Sequence, residues 1–160
     1  MNTYSVRMKQ VVEQFNLTVL HASTDYETVE IMVEEVSRPG LQLAGFFNHF
    51  EPLRLQVIGN VESAYISELS HERLLEVFSE MFSKKIPALI FARNIEPTPE
   101  CLEMAKKYDV TVLRCLESTS YIVSSLITYL KSALAPRITR HGVLVEVYGE
   151  GLLLMGESGI

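Results

Sequence analysis

Ala88-Leu-Ile-Phe-Ala92-Arg-Asn-Ile-Glu-Pro-Thr98-Pro99-Glu-Cys-Leu-Glu-Met-Ala-Lys-Lys-Tyr108-Asp-Val110-Thr-Val-Leu113 is the stretch whose reading decides the fold. Residues 88–92 are an uninterrupted apolar run of strand length. Thr98 followed by Pro99 is an N-cap followed by a proline at the first helical position, where its missing N–H costs nothing. A helix then runs to Tyr108, and Val110 to Leu113 is a second apolar run. Ser118 opens another helix, which continues to about Leu134. Strand, helix, strand and helix at these lengths predict a parallel pair with a right-handed crossover.

Working outward towards the start, Val6, Met8, Val11, Val12 and Phe15 recur at near-helical spacing and predict a helix from about Ser5 to Phe15, ended by Asn16. Thr18 to Leu20 reads as a short strand. Val29 to Val33 reads as another, stopped by Ser37-Arg38-Pro39-Gly40 because proline cannot donate to a ladder. Leu53 to Ile58 is a third extended segment. Val61 to Leu69 reads as a short helix and Ser70 to Phe82 as a longer one with a wide apolar stripe. Leu134-Ala-Pro136-Arg137 breaks the last helix and marks a boundary. Residues 1–134 therefore read as one α/β domain with a mixed sheet flanked by helices, and 135–160 as the start of a second domain.

Five of the eight glycines fall in the last twenty residues, where they bracket Val143 to Tyr148 and Leu152 to Met155. The pattern predicts a hairpin turning at Gly149-Glu-Gly151. Its second strand runs into Gly156-Glu157-Ser158-Gly159-Ile160, the opening half of the phosphate-binding pattern G-x-x-x-x-G-K-S/T. Gly156 fills the first position and Ile160 the fifth. The last lysine is Lys131, so the residues that neutralise charge and hold Mg²⁺ are not in these 160 residues.

Four segments together resemble the HPr kinase/phosphorylase family of bacterial carbon-catabolite control: His141 to Ile160, Ser37 to Phe46, Gln56-Val-Ile-Gly59 and Leu134 to Arg137. The resemblance implies the amino-terminal half of a longer, hexameric enzyme. That enzyme uses Mg²⁺ with ATP or pyrophosphate to phosphorylate a serine of the phosphocarrier HPr, and removes the phosphate by phosphorolysis. It implies that His141 belongs to the active site, that Gly156, Glu157, Ser158, Gly159 and Ile160 bind the nucleotide phosphates, and that the principal acid/base aspartate lies further on. It also implies that the amino-terminal domain is similar to the uridine-nucleotide-binding domain of muramyl peptide ligases. The 160 residues alone are expected to be inactive, with neither Mg²⁺ nor nucleotide bound. The other reading is a ligand-sensing or assembly module without chemistry.

Composition narrows the classes. Fourteen basic against 20 acidic residues give a net charge of −6, which argues against nucleic acid and anionic membranes as partners. The apolar runs fall short of the roughly 20 residues of a membrane span, and Met1 to Arg7 lacks a signal-peptide core. A cytoplasmic location is expected. Cys101 and Cys115 read as structural, reduced thiols. His21, His49 and His71 have no metal-ligand spacing. Ser37, Arg38 and Gly40 stand as a candidate ligand loop beside the reading of a structural turn whose Arg38 pairs with a nearby acid. Ser118-Thr119-Ser120 reads as an anion-holding helix start or simply as a hydroxyl cap.

Overall fold

Alternation along three short strands generates the two cores. Leu55 and Val57, Ile90, and Leu113 face one way, while Ile58, Leu89 with Phe91, and Val112 face the other. All of these side chains are buried, as expected for strands covered by helices on both sides. The computed structural model describes residues 4–140 and 143–146.

In chain order the elements are β1 (Val6–Arg7), α1 (Met8–Phe15), β2 (Thr18–His21), β3 (Glu30–Ile31), β4 (Val36–Ser37), α2 (Gly40–Leu43) and β5 (Leu55–Ile58). There follow α3 (Asn60–Ile66), α4 (His71–Ser83), β6 (Leu89–Phe91), α5 (Pro99–Tyr108), β7 (Val112–Arg114), α6 (Thr119–Leu134), β8 (Arg137–Arg140) and β9 (Val143–Glu146). The main sheet has the order β2-β7-β6-β5-β4. The last four strands of that order are parallel, and β2 is antiparallel to β7. The mixed α/β sheet expected from the sequence is therefore present.

Helices α4 and α5 pack Leu74, Phe78, Met81, Phe82, Cys101 and Met104 on one face. Helices α1 and α6 pack Met8, Val11, Ile122, Leu126 and Leu130 on the other. The caps read in the sequence are formed: Ser70, Thr98 and Ser118 hydroxyls accept from the N–H groups of Arg73, Cys101 and Tyr121. Pro99 is the first residue of α5.

Several expected boundaries shift for physical reasons. The first helix begins at Met8 because Val6 and Arg7 pair with Ile31 and Glu30 in a separate antiparallel ladder. The expected strand over 29–33 shrinks to those two residues and stays out of the main sheet. Val36–Ser37 is an edge strand of the main sheet, and the Ser37 to Gly40 turn leads directly into α2. The strand expected at 110–113 is displaced to 112–114, because the Val110 N–H still closes α5 on Ala105 O at 2.9 Å. Past α6, Ala135 is extended before Pro136 and ends the helix. The sequence placed a hairpin at 149–151. Arg137–Arg140 pairs with Val143–Glu146 in antiparallel register, so the first strand of that hairpin is present over 143–146, while its turn and its second strand, Gly149 to Met155, lie outside the described residues. Among the described residues no helix is long and apolar enough to cross a membrane.

Candidate functional site

Parallel strands send their carboxyl ends to one edge of the sheet, the usual place for ligands in open α/β folds. Here that edge carries Arg38 after β4, Gly59 after β5, Arg93 and Asn94 after β6, and the segment from Cys115 to Ser118 after β7.

Glu62 holds this edge together. It is the third residue of α3 and only 7% exposed, and its Oε1 accepts from Gly59 N–H at 2.7 Å and from Arg38 Nη2 at 2.8 Å. Gly59-x-x-Glu62 is thus the reaching-back half of a capping box. Arg38 is paired with a nearby acid, and its side chain remains 42% exposed. At the edge strand, Arg54 Nη1 donates to Ser37 Oγ at 3.3 Å. Gly40 stands in open space, so nothing around it requires a glycine.

Gly59 is different. A β-carbon there would fall well inside contact with Thr119 Oγ1, 2.8 Å from Thr119 Cγ2 and 2.9 Å from Arg38 Nη2. The first residue of α6 therefore sits against the end of β5, two strands away from the β7 that precedes it. The crossing is pinned at β6. Arg93 and Asn94, both left-handed at φ 56°, donate their N–H groups to Glu117 O at 2.8 Å and Cys115 O at 2.7 Å. Two consecutive non-glycine residues in that region are sustained only where surrounding bonds over-determine them.

The amino ends of the strands carry a second polar group. Thr111 Oγ1 accepts from Ser23 N–H at 3.0 Å and donates to Ser23 Oγ at 3.1 Å, and Ser23 Oγ donates to Asp25 at 2.6 Å. Asp109 accepts from the Thr24 hydroxyl and N–H, and these two bonds hold its carboxyl below the ordinary value. A cavity of about 250 Å³ lies here, bordered by Asp25, Met32, Leu53 and Lys85 among others.

Cys101 and Cys115 are buried and free. Burial pushes both thiols up, away from the reactive thiolate. Among the described residues no three His, Cys, Asp or Glu side chains come together as a metal site. His71 Nδ1 instead bonds Glu100 Oε2 at 2.7 Å between α4 and α5. His141 and Gly156, Glu157, Ser158, Gly159 and Ile160 lie outside the described residues. The structure brings Arg38 together with Thr119, which the sequence had offered as a helix start. Gly59 and Glu62 were missed as site residues, although their capping-box spacing was readable.

A family profile described as HPr Serine kinase N terminus matches residues 6–130. The chain belongs to this family. It is 42% identical to an HPr kinase/phosphorylase of Lachnoclostridium phytofermentans over 98% of the chain and 51% of that relative. It is 42% identical to that of Caldicellulosiruptor bescii over 94% of the chain and 49% of the relative, and 38% identical to that of Streptococcus thermophilus over 98% and 50%. The chain spans about half the length of the curated relatives it matches. Among solved structures, the CBS and DRTGG domains of the regulatory region of Clostridium perfringens pyrophosphatase, complexed with the activator diadenosine tetraphosphate, align with a TM-score of 0.52 and 16% identity. The alignment covers 76% of this chain and 46% of that one. That likeness shows a shared fold.

Proposed function

We propose that these residues are the amino-terminal half of a bifunctional, cytoplasmic HPr serine kinase/phosphorylase acting in carbon catabolite regulation. The whole protein transfers phosphate from ATP or pyrophosphate to a serine of HPr and removes it by phosphorolysis. The observation that carries this reading is the 42% identity over 98% of the chain, a match that continues past residue 130 into the segment holding His141 and the glycine-rich loop. The amino-terminal domain is read as akin to that of muramyl peptide ligases, and the whole protein as a hexamer.

Gly156, Glu157, Ser158, Gly159 and Ile160 would give backbone N–H groups to the nucleotide phosphates, and His141 would hydrogen-bond the transferred phosphate or the incoming hydroxyl. Mg²⁺ and nucleotide supply charge neutralisation and the phosphoryl group when bound, and phosphoryl transfer is mainly positioning and charge stabilisation. The 160 residues contain neither the loop lysine nor its hydroxyl partner, so they do not complete that site. In the full-length protein His141→Ala is expected to lower phosphorylation and phosphorolysis at least about tenfold, since one positioned group contributes roughly 10²–10⁴-fold. Unchanged kinetics in a folded variant would remove His141 from the active site.

A second reading is compatible with the first: residues 1–134 are a ligand-sensing module, with Ser37, Arg38 and Gly40 as its ligand loop. It is favoured by the half-open Arg38 at the carboxyl ends of the parallel strands.

A further inference from the structure

The buried polar groups around Gly59 do not satisfy one another. Thr119 is 6% exposed, and its Oγ1 has no hydrogen-bond partner. Leaving a buried hydroxyl unmatched costs about 1–3 kcal/mol, and such groups in native proteins call for a cause. Thr119 is the first residue of a 16-residue helix with no acidic residue in its first turn. In that turn Ser118 Oγ takes the Tyr121 N–H and Ser118 O takes the Ile122 N–H. Among the described residues, the N–H groups of Thr119 and Ser120 have no acceptor. Arg38 Nη2 and Thr119 Oγ1 converge on the same point above Gly59. Arg38 gives only Nη2 to Glu62, and its other guanidinium donors remain available on a half-exposed side chain. Glu62 is itself shared between Arg38 and the Gly59 N–H, so its charge is compensated.

The geometry points to an oxyanion site between Arg38 and the first turn of α6, taking a phosphate group as inorganic phosphate or as a small phosphate monoester. Arg38 supplies charge and a planar fork of donors. The Thr119 hydroxyl and the helix N–H groups supply the remaining donors and the positive end of the dipole. The close approach at Gly59 leaves no depth beneath the phosphate, which restricts the ligand to a small head. This deepens the ligand-loop reading above and rests on it, not on the kinase activity: it adds Thr119 and Ser120 and names the chemical class.

The test is an amide-resolved titration of the 160-residue chain with sodium phosphate, and separately with glycerol phosphate, at constant ionic strength against chloride. Saturable shifts are expected at Gly59, Thr119 and Ser120. Arg38→Gln should weaken them about tenfold or more, the loss expected for a hydrogen bond to a charged group. Thr119→Val should weaken them severalfold while keeping side-chain volume, and Arg38→Lys should fall in between. A response to phosphate alone identifies the free anion, and a tighter response to glycerol phosphate identifies a monoester. Absence of saturation, shifts confined to Gly156–Ile160, or full affinity in folded Thr119→Val and Arg38→Lys chains would overturn the site. None of these readouts involves HPr, so the kinase reading stands or falls separately.

Discussion

The two ends of the parallel strands are built from similar residues and behave differently. At the amino ends, Ser23 bonds with Asp25 and Thr111, and Thr24 bonds with Asp109, beside the cavity of about 250 Å³. Both threonines there are matched, while the nearby His21 Nε2 is buried without a partner. At the carboxyl ends, Arg38, Glu62 and Gly59 are bonded, but the Thr119 hydroxyl beside them is not. The lesson is that room alone does not mark a binding site. A threonine whose bonds are complete is part of the scaffold, while a buried one left unmatched at a helix start is poised for something else.

The largest effect is expected at Gly59. Replacing it with alanine drives a methyl group into Thr119 and Arg38, and overpacking of this kind costs typically about 1–3 kcal/mol. Urea unfolding of Gly59→Ala should show that loss, and Thr119→Ala in the same chain should recover part of it, because the two side chains share one space. Strict additivity would mean that the close approach at the end of β5 is not what constrains this edge.

One substitution made at both ends sharpens the contrast. Thr111→Val strands the buried Ser23 N–H and should destabilise by about 1–3 kcal/mol. Thr119→Val removes a hydroxyl that has no partner and should change stability by less than about 0.5 kcal/mol, or raise it, because removing an unmatched buried polar group is nearly neutral or favourable. Equal losses at the two positions would show that Thr119 is as fully bonded as Thr111.

The smallest effect belongs to a pair that joins the first turns of α4 and α5, His71 with Glu100. The bond to Glu100 raises His71 above its ordinary 6.5, and the same bond lowers Glu100 below 4.5. The contribution of His71 is complete below 6.5 and is lost as pH rises through its folded value. That of Glu100 is complete above 4.5 and is lost as pH falls through its folded value. The pair therefore supports the α4–α5 contact best between those two pH values. In a Glu100→Gln chain His71 should titrate at lower pH by NMR than in the parent, and the melting temperature should drop slightly in that window and not at alkaline pH. An unchanged His71 titration would assign its shift to other neighbours.

The sequence made the centre of the fold readable because its signals there are local. Thr98-Pro99 and Ser118 fix two helix starts, and the runs at 88–92 and 110–113 are bounded by Pro87 and Arg93 and by Asp109 and Arg114. The misread elements depend on distant partners. Val6–Arg7 becomes a strand only because Glu30–Ile31 lies beside it, and Val36–Ser37 is too short to show a period before Pro39. The site follows the same rule. Arg38 stands out in sequence, but its acid lies 24 residues away, and Thr119 acquires its unusual burial only when α6 folds back against β5. His141 and the glycine-rich loop were readable as a motif.

We propose that phosphoryl transfer needs the full-length protein, in which residues 1–134 form the domain that precedes the catalytic one. The most direct measurement is phosphorylation of HPr with Mg²⁺ and ATP, comparing the full-length protein with residues 1–160. Serine phosphorylation is expected from the full-length protein and none above background from the shorter chain. Phosphorylation by residues 1–160 alone, or none by an intact full-length protein, would contradict it.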